Sequence, residues 1–141
     1  DNQGILEVVA QSTNTTLTVQ NLVGLPQFDG TDTLTGGTWR VSADPARTAT
    51  LNLNPADNGI TTLATGAEVE LAGTGTVNFP ELALTTLDGG TFRVSEGYVH
   101  SGDLTTTANG GTFGGDGGTI DGDLTGSLIF DIGSQVTRDP T

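Results

Sequence analysis

Three kinds of catalysis can be asked of the titratable side chains in this sequence. Glycoside hydrolysis needs two carboxylates flanking one bond at a defined separation. The chain offers Asp29/Asp32, Glu68/Glu70 and Asp121/Asp123, spaced i, i+2 or i+3. In a strand an i, i+2 pair shares a face, so the geometry is available. Acidic pairs also arise by chance, however, in a chain with 17 Asp and Glu residues. Lyase chemistry on uronic acids would further need cations to hold the substrate and act as base, and only Arg40, Arg47, Arg93 and Arg138 exist, with no Lys. A nucleophilic system would have to use His100, the one imidazole, with Ser101 and Asp103. Neighbours in an extended chain point to opposite faces, and no Gly-x-Ser-x-Gly elbow accompanies them. His100 is therefore read as a surface or corner residue, and the chain as a non-enzyme.

Metal binding is the next possibility. The run Gly114-Gly115-Asp116-Gly117-Gly118-Thr119-Ile120-Asp121-Gly122-Asp123 is similar to the Gly-Gly-x-Gly-x-Asp nonapeptide that binds Ca²⁺ in β-rolls. Thr119 stands where the ligating Asp belongs, and there is one copy where adjacent copies are needed. Ca²⁺ takes six to eight oxygens, and Asp116, Asp121 and Asp123 with loop carbonyls are the candidate ligands. The alternative is a solvated acidic corner. With no Cys and one His, a disulfide framework, thiol nucleophile, zinc finger or iron–sulfur site is excluded. A net charge of −13 with four cations argues against nucleic acid, whose binding needs clustered positive charge. No stretch approaches the 18 or so apolar residues that span a bilayer, so no membrane insertion is expected.

The elements that would position these groups are short strands. Apolar–polar–apolar triplets recur at Leu6-Glu7-Val8, Leu17-Thr18-Val19, Trp39-Arg40-Val41, Leu51-Asn52-Leu53, Val69-Glu70-Leu71, Phe92-Arg93-Val94 and Phe130-Asp131-Ile132. This is the period of a strand with one buried face. Gly, Asn, Asp and Pro punctuate them, and no helical repeat is present. Strands of three to five residues are short for a sandwich but suit the coils of a β-solenoid, in which each strand pairs with its equivalent one turn later. Thr33-Leu34-Thr35-Gly36-Gly37-Thr38-Trp39-Arg40-Val41-Ser42 returns, with eight of ten identities, as Thr86-Leu87-Asp88-Gly89-Gly90-Thr91-Phe92-Arg93-Val94-Ser95. Echoes follow at Gly110-Gly111-Thr112-Phe113 and Gly117-Gly118-Thr119-Ile120. With roughly 17–22 residues per coil, the offset of 53 between the long copies reads as three coils, and the 21 from Phe92 to Phe113 as one. Each unit reads as a glycine corner followed by an inward aromatic, which places Trp39 and Phe92 in the core rather than on a sugar-stacking strip. Arg40 and Arg93 then decorate the outside.

Gly36-Gly37-Thr38-Trp39-Arg40-Val41, Thr65-Gly66-Ala67-Glu68-Val69-Glu70-Leu71 and Gly122-Asp123-Leu124-Thr125-Gly126-Ser127-Leu128 resemble repeats of secreted bacterial surface proteins, the autotransporter-passenger-like and haemagglutinin-like regions. The resemblance covers most of residues 34–133 and implies a right-handed parallel β-helix. It carries over no catalytic residue. The stretch 1–33 fits less well, although Gly4-Ile5-Leu6-Glu7-Val8 suits another coil.

The expectation is therefore an all-β, single-domain β-solenoid over residues 1–141, of about six or seven short coils, processed or cut from a longer protein. Terminal coils expose unpaired backbone groups that attract another chain, and only Asp139-Pro140 looks like a stop. The function expected is a structural one, extracellular or at the cell surface: a stalk, adhesin shaft or fibre subunit that self-associates end to end. The alternative is a module that binds a cell-surface glycan, with an exposed Trp39 or Tyr98 as its mark. Thr-x-Thr pairs, best spaced from Thr16 through Thr33, Thr48, Thr74 and Thr105, step unevenly, so an ice-binding lattice would have gaps.

Overall fold

The structure is a computed structural model that describes residues 4–20, 27–29, 32–54, 59–95, 98–115, 119–130 and 135–137. Among these residues seventeen short strands wind in rungs. The first rung holds β1 (Ile5–Ala10), β2 (Thr15–Gln20) and β3 (Thr33–Leu34), and the second β4 (Gly37–Ala43), β5 (Thr48–Asn54) and β6 (Ile60–Ala64). The third has β7 (Ala67–Gly73), β8 (Thr76–Asn78) and β9 (Leu82–Asp88), and the fourth β10 (Thr91–Val94), β11 (Val99–Ser101) and β12 (Leu104–Thr106). The fifth has β13 (Gly111–Gly114), β14 (Thr119–Asp121) and β15 (Leu124–Thr125), and the sixth β16 (Leu128–Phe130) and β17 (Gln135–Thr137).

Every pairing between these strands is parallel and joins a strand to its equivalent in the next rung. The first face is the sheet β1-β4-β7-β10-β13-β16, and the third is β3-β6-β9-β12-β15. The second face is split into β2-β5-β8 and β11-β14-β17. The fold is the expected all-β parallel β-helix, and the first face has six rungs. No helix long and apolar enough to cross a membrane occurs among the described residues.

Inward residues stack in columns. On the first face Leu6, Trp39, Val69, Phe92, Phe113 and Phe130 form one column, and Val8, Val41, Leu71 and Val94 form the next. Leu34, Leu63 and Leu87 stack on the third face, and Leu51 and Leu53 line the second and are fully buried. Phe92 is the hub of the lower core. Its ring meets Tyr98, His100 and Phe113 edge-on at centroid distances of 6.0, 5.8 and 5.9 Å. Burial of one such ring is worth roughly 2–3 kcal/mol, and each edge-to-face pair adds about 1 kcal/mol.

The coils taper. Along the first face Ile5, Thr38, Glu68, Thr91, Thr112 and Ile129 are successive partners, which gives coils of 33, 30, 23, 21 and 17 residues. Much of the difference lies in the link from second to third face: twelve residues between β2 and β3, five between β5 and β6, three between β8 and β9, then two in each later coil. The two long sequence copies are consequently two coils apart rather than three, with Ala67-Glu68-Val69-Glu70-Leu71 stacked between them. The Phe113 echo is one coil below Phe92, as its offset suggests. Thr119-Ile120, by contrast, lies on the second face beneath Val99-His100, so that echo is not an equivalent corner; its glycines, Gly117 and Gly118, lie outside the described residues.

The paired glycines have separate jobs. The first of each later pair, Gly89 and Gly110, has φ of 82° and 71°, a left-handed corner that other residues adopt at a cost. The second is a packing residue: a Cβ on Gly90 would lie 2.6 Å from Leu63 Cβ, and one on Gly111 2.4 Å from Leu87 Cβ. Leu63 of the second rung thus packs against the start of β10 in the fourth, and Leu87 of the third against the start of β13 in the fifth. Gly111→Ala should cost about 1–3 kcal/mol through overpacking. Gly66→Ala, at φ of 92° with nothing within 4 Å of the new methyl, should lose only the backbone term of about 1 kcal/mol. Urea unfolding of the two variants distinguishes these effects.

Candidate functional site

The outward surface of the first face is a column of alternating charge. Glu7, Arg40, Glu70 and Arg93 are successive backbone partners. Arg40 Nε donates to Glu70 Oε2 at 2.6 Å and its Nη1 reaches Glu7 Oε1 at 3.4 Å; Arg93 Nε donates to Glu68 Oε1 at 2.8 Å. The two arginines at equivalent repeat positions face outward, as expected, and Glu68/Glu70 serve as their partners rather than as a pair flanking a cleft. Asp29/Asp32 is also committed locally: Asp29 Oδ1 accepts from the Asp32 and Thr33 N–H groups at 3.2 and 3.1 Å, which ties the approach to β3.

Of the proposed calcium ligands, Asp121 ends β14 and Asp123 precedes β15, and both are exposed. The Asp123 N–H donates to Asp103 Oδ1 of the rung above at 3.0 Å. Asp116 lies outside the described residues. Among the described residues no three His, Asp or Glu side chains converge on one point.

The reading of His100 is overturned. It is 7 % exposed, and its Nε2 has no hydrogen-bond partner. It points inward in a column with Ile120 and packs on Phe92, while Val99 beside it is 49 % exposed. The register with β14 decides this: burying Val99 would turn His100 outward. Ser101 and Asp103 are exposed, so the three residues do not form a nucleophilic system. Trp39 is buried, and its indole N–H donates to Gly36 O at 3.1 Å; Phe92 and Phe113 are fully buried. These aromatics are core, as the alternation suggested. Tyr98 is half-buried beside an open groove of about 360 Å³, with Thr85, Ser101 and Asp103 among the polar residues lining it. The groove lies next to the split in the second face. There β9 carries an irregularity against β6, and β11 does not pair with β8.

Sequence spacing missed two arrangements. Thr33, Thr62, Thr86, Thr105 and Thr125 form one continuous outward column on the third face. Its steps of 29, 24, 19 and 20 follow the taper, so a search for even spacing passes over it. The dipeptide Thr-Leu at 33–34, 62–63 and 86–87 was the available signal. A partner row is interrupted, since Ala64 and Asp88 stand between Thr35 above and Thr107 and Ser127 below at the equivalent places. On the second face Asn52 Nδ2 reaches Thr18 Oγ1 at 3.4 Å and Asn78 Nδ2 reaches Thr50 Oγ1 at 3.3 Å, extending the polar wall. The other missed feature is a corner clasp. The Asp88 carboxylate accepts from the Thr107 hydroxyl and from Asn109 Nδ2, and these bonds hold it below the usual carboxylate range.

Against these hydroxyl, amide and paired-charge walls, apolar exposure gathers at two places. Ile5, Val9 and Leu17 are exposed on the first rung, and Ile129 and Phe130 on the sixth. Leu17 stacks on Leu51, and Phe130 on Phe113 at a centroid distance of 6.4 Å. Each belongs to an inward column that ends there among the described residues. Compared with known proteins, the chain matches no family model, no curated protein and no solved structure.

Two predictions follow from these side chains. Replacing Arg40 by Met leaves Glu7 and Glu70 without their shared cation, and should cost about 1 kcal/mol in low salt; denaturation at raised NaCl should show a smaller difference. Burial lowers the His100 pKa below its ordinary 6.5, so the folded protein holds the neutral ring and the unfolded chain takes up the proton first. His100 therefore lets stability stand in full above about pH 6.5 and removes it as pH falls from there toward the depressed folded value. His100→Leu should flatten the decline in urea midpoint between about pH 6.5 and 5, above the carboxylate range.

Proposed function

We propose that this chain is a structural module of an extracellular or cell-surface protein, a stalk, adhesin shaft or fibre subunit, and that copies of it associate end to end. The supporting observation is where the large apolar side chains are exposed: among the described residues five of six lie on the first and sixth rungs. The backbone edges of those rungs are also open among the described residues, and open edges recruit further strands. The lateral walls carry groups that stay wet or are already paired, which favours axial over sideways contact. The resemblance to autotransporter-passenger-like and haemagglutinin-like repeats points the same way. An enzyme is not proposed, since Glu68/Glu70 is spent on ion pairs and Asp29/Asp32 on a turn.

In this reading the −13 charge opposes close approach of copies, and added salt relieves it. Ca²⁺ held by Asp116, Asp121 and Asp123 would act in the same direction. The glycan-binding alternative rests on Tyr98 and its groove, since Trp39 is buried. Quenching of tyrosine fluorescence by added glycans would favour it.

Light scattering and negative-stain imaging over a range of protein, NaCl and CaCl₂ concentrations test the main reading. Rods that lengthen with concentration and salt are expected. Replacing Asp116, Asp121 and Asp123 by Asn should remove any effect specific to Ca²⁺. A strictly monomeric species at high protein and salt overturns self-association.

A further inference from the structure

Which residues meet when two copies stack follows from the columns of the first face. The outward column Ile5–Thr38–Glu68–Thr91–Thr112–Ile129 is polar in its middle and begins and ends with isoleucine. Among the described residues those two are the most exposed large apolar ones, at 64 and 66 %. The neighbouring inward column runs from Leu6, which is partly buried, to Phe130, which is 42 % exposed. One more rung added below β16 in the register that every earlier rung keeps would place Ile5 beside Ile129 and Leu6 against Phe130.

We propose that the partner at this edge is a second copy of the chain, whose β1 pairs in parallel with β16 in that register: Ile129 with Ile5, Phe130 with Leu6, and Leu128 with Gly4. The assignment rests on the end-to-end association proposed above. Parallel docking keeps the three faces of one copy above the same three faces of the next. A two-fold, antiparallel pairing of β1 with another β1 exchanges the second and third faces. Centred on Glu7, so that outward residues face outward ones, it pairs Ile5 with Val9 and sets Glu7 directly opposite Glu7, a repulsive cross-strand pair. Heterologous contact of the parallel kind does not close, so it propagates into a rod.

The chain has no cysteine, which makes the register directly testable by disulfide capture. Paired residues on adjacent strands lie about 4.8 Å apart, inside the range of about 4.4–6.8 Å between Cα atoms that a disulfide spans. Ile5→Cys combined with Ile129→Cys should yield, on mild oxidation, a ladder of multimers that reductant collapses. A mixture of the two single variants should give heterodimers at least tenfold in excess of either homodimer. Phe130→Asp should raise the concentration needed for assembly at least tenfold with an unchanged far-UV spectrum, while Val99→Asp, exposed away from both ends, should not. Cross-linking between Ile5→Cys and Val9→Cys variants, which face each other in the two-fold pairing, overturns the parallel register in favour of the two-fold one. Assembly by light scattering without the Ile5–Ile129 cross-link overturns the register and leaves stacking intact. A chain monomeric throughout removes both.

Discussion

The fold depends on one constraint: each inward side chain must find an apolar partner in the rung above or below. A single coil of this chain encloses only a few such residues, far too few to offset the entropy of ordering it. Stacking supplies the rest, because each inward residue is covered by its own column and by those of the other two faces. This is how a chain with only 33 % hydrophobic residues obtains a core that includes fully buried Leu51, Leu63, Leu87, Phe92 and Phe113. Stability of this kind is a sum of neighbour contacts, and it leaves the outer surface free to be threonine, asparagine and charge.

The period-2 pattern made the strands and the inward aromatics legible in the sequence, because each is a local consequence of alternation. The stacked winding was legible from the shortness of the strands and the returning Gly-Gly-Thr motif. Coil length was not legible in the same way. Register depends on which residue of the next rung lands on a given column, and links of twelve, five, three and two residues reach the same column by different paths. The third rung keeps the column with Val69 but neither the aromatic nor the glycine pair, since Ala67 is small enough at the corner. The motif therefore skips it, and an offset of 53 looked like three even coils. The threonine column escaped for the same reason.

His100 was illegible for a different reason. Hydropathy puts Val99 inside and His100 outside, and the structure does the reverse. Register with β14 places Ile120 inward, and the residue above Ile120 must point with it. The imidazole then fills the space against the edge of Phe92 and leaves a nitrogen without a partner. An unsatisfied buried nitrogen is tolerable where the ring stays neutral, which burial itself promotes. The metal reading sits between these cases: Asp121 and Asp123 are surface corner residues as expected, but composition alone could not say whether their carboxylates converge.

The taper bears on what an assembled rod would be. Within one copy, successive coils differ by at most seven residues, whereas a joint would place a 33-residue coil next to the small sixth rung. Only three residues of β16 are available to the six of β1, so fewer backbone bonds and fewer side chains would cross a joint than cross any of the first three rungs. On the first face the joint would then match the three-residue pairings of the lower rungs, and it would be the contact most exposed to mutual repulsion of acidic copies. Rod length would answer to protein concentration and ionic strength, while the rungs inside each copy, joined by the chain itself and by dry columns, would hold under the same changes.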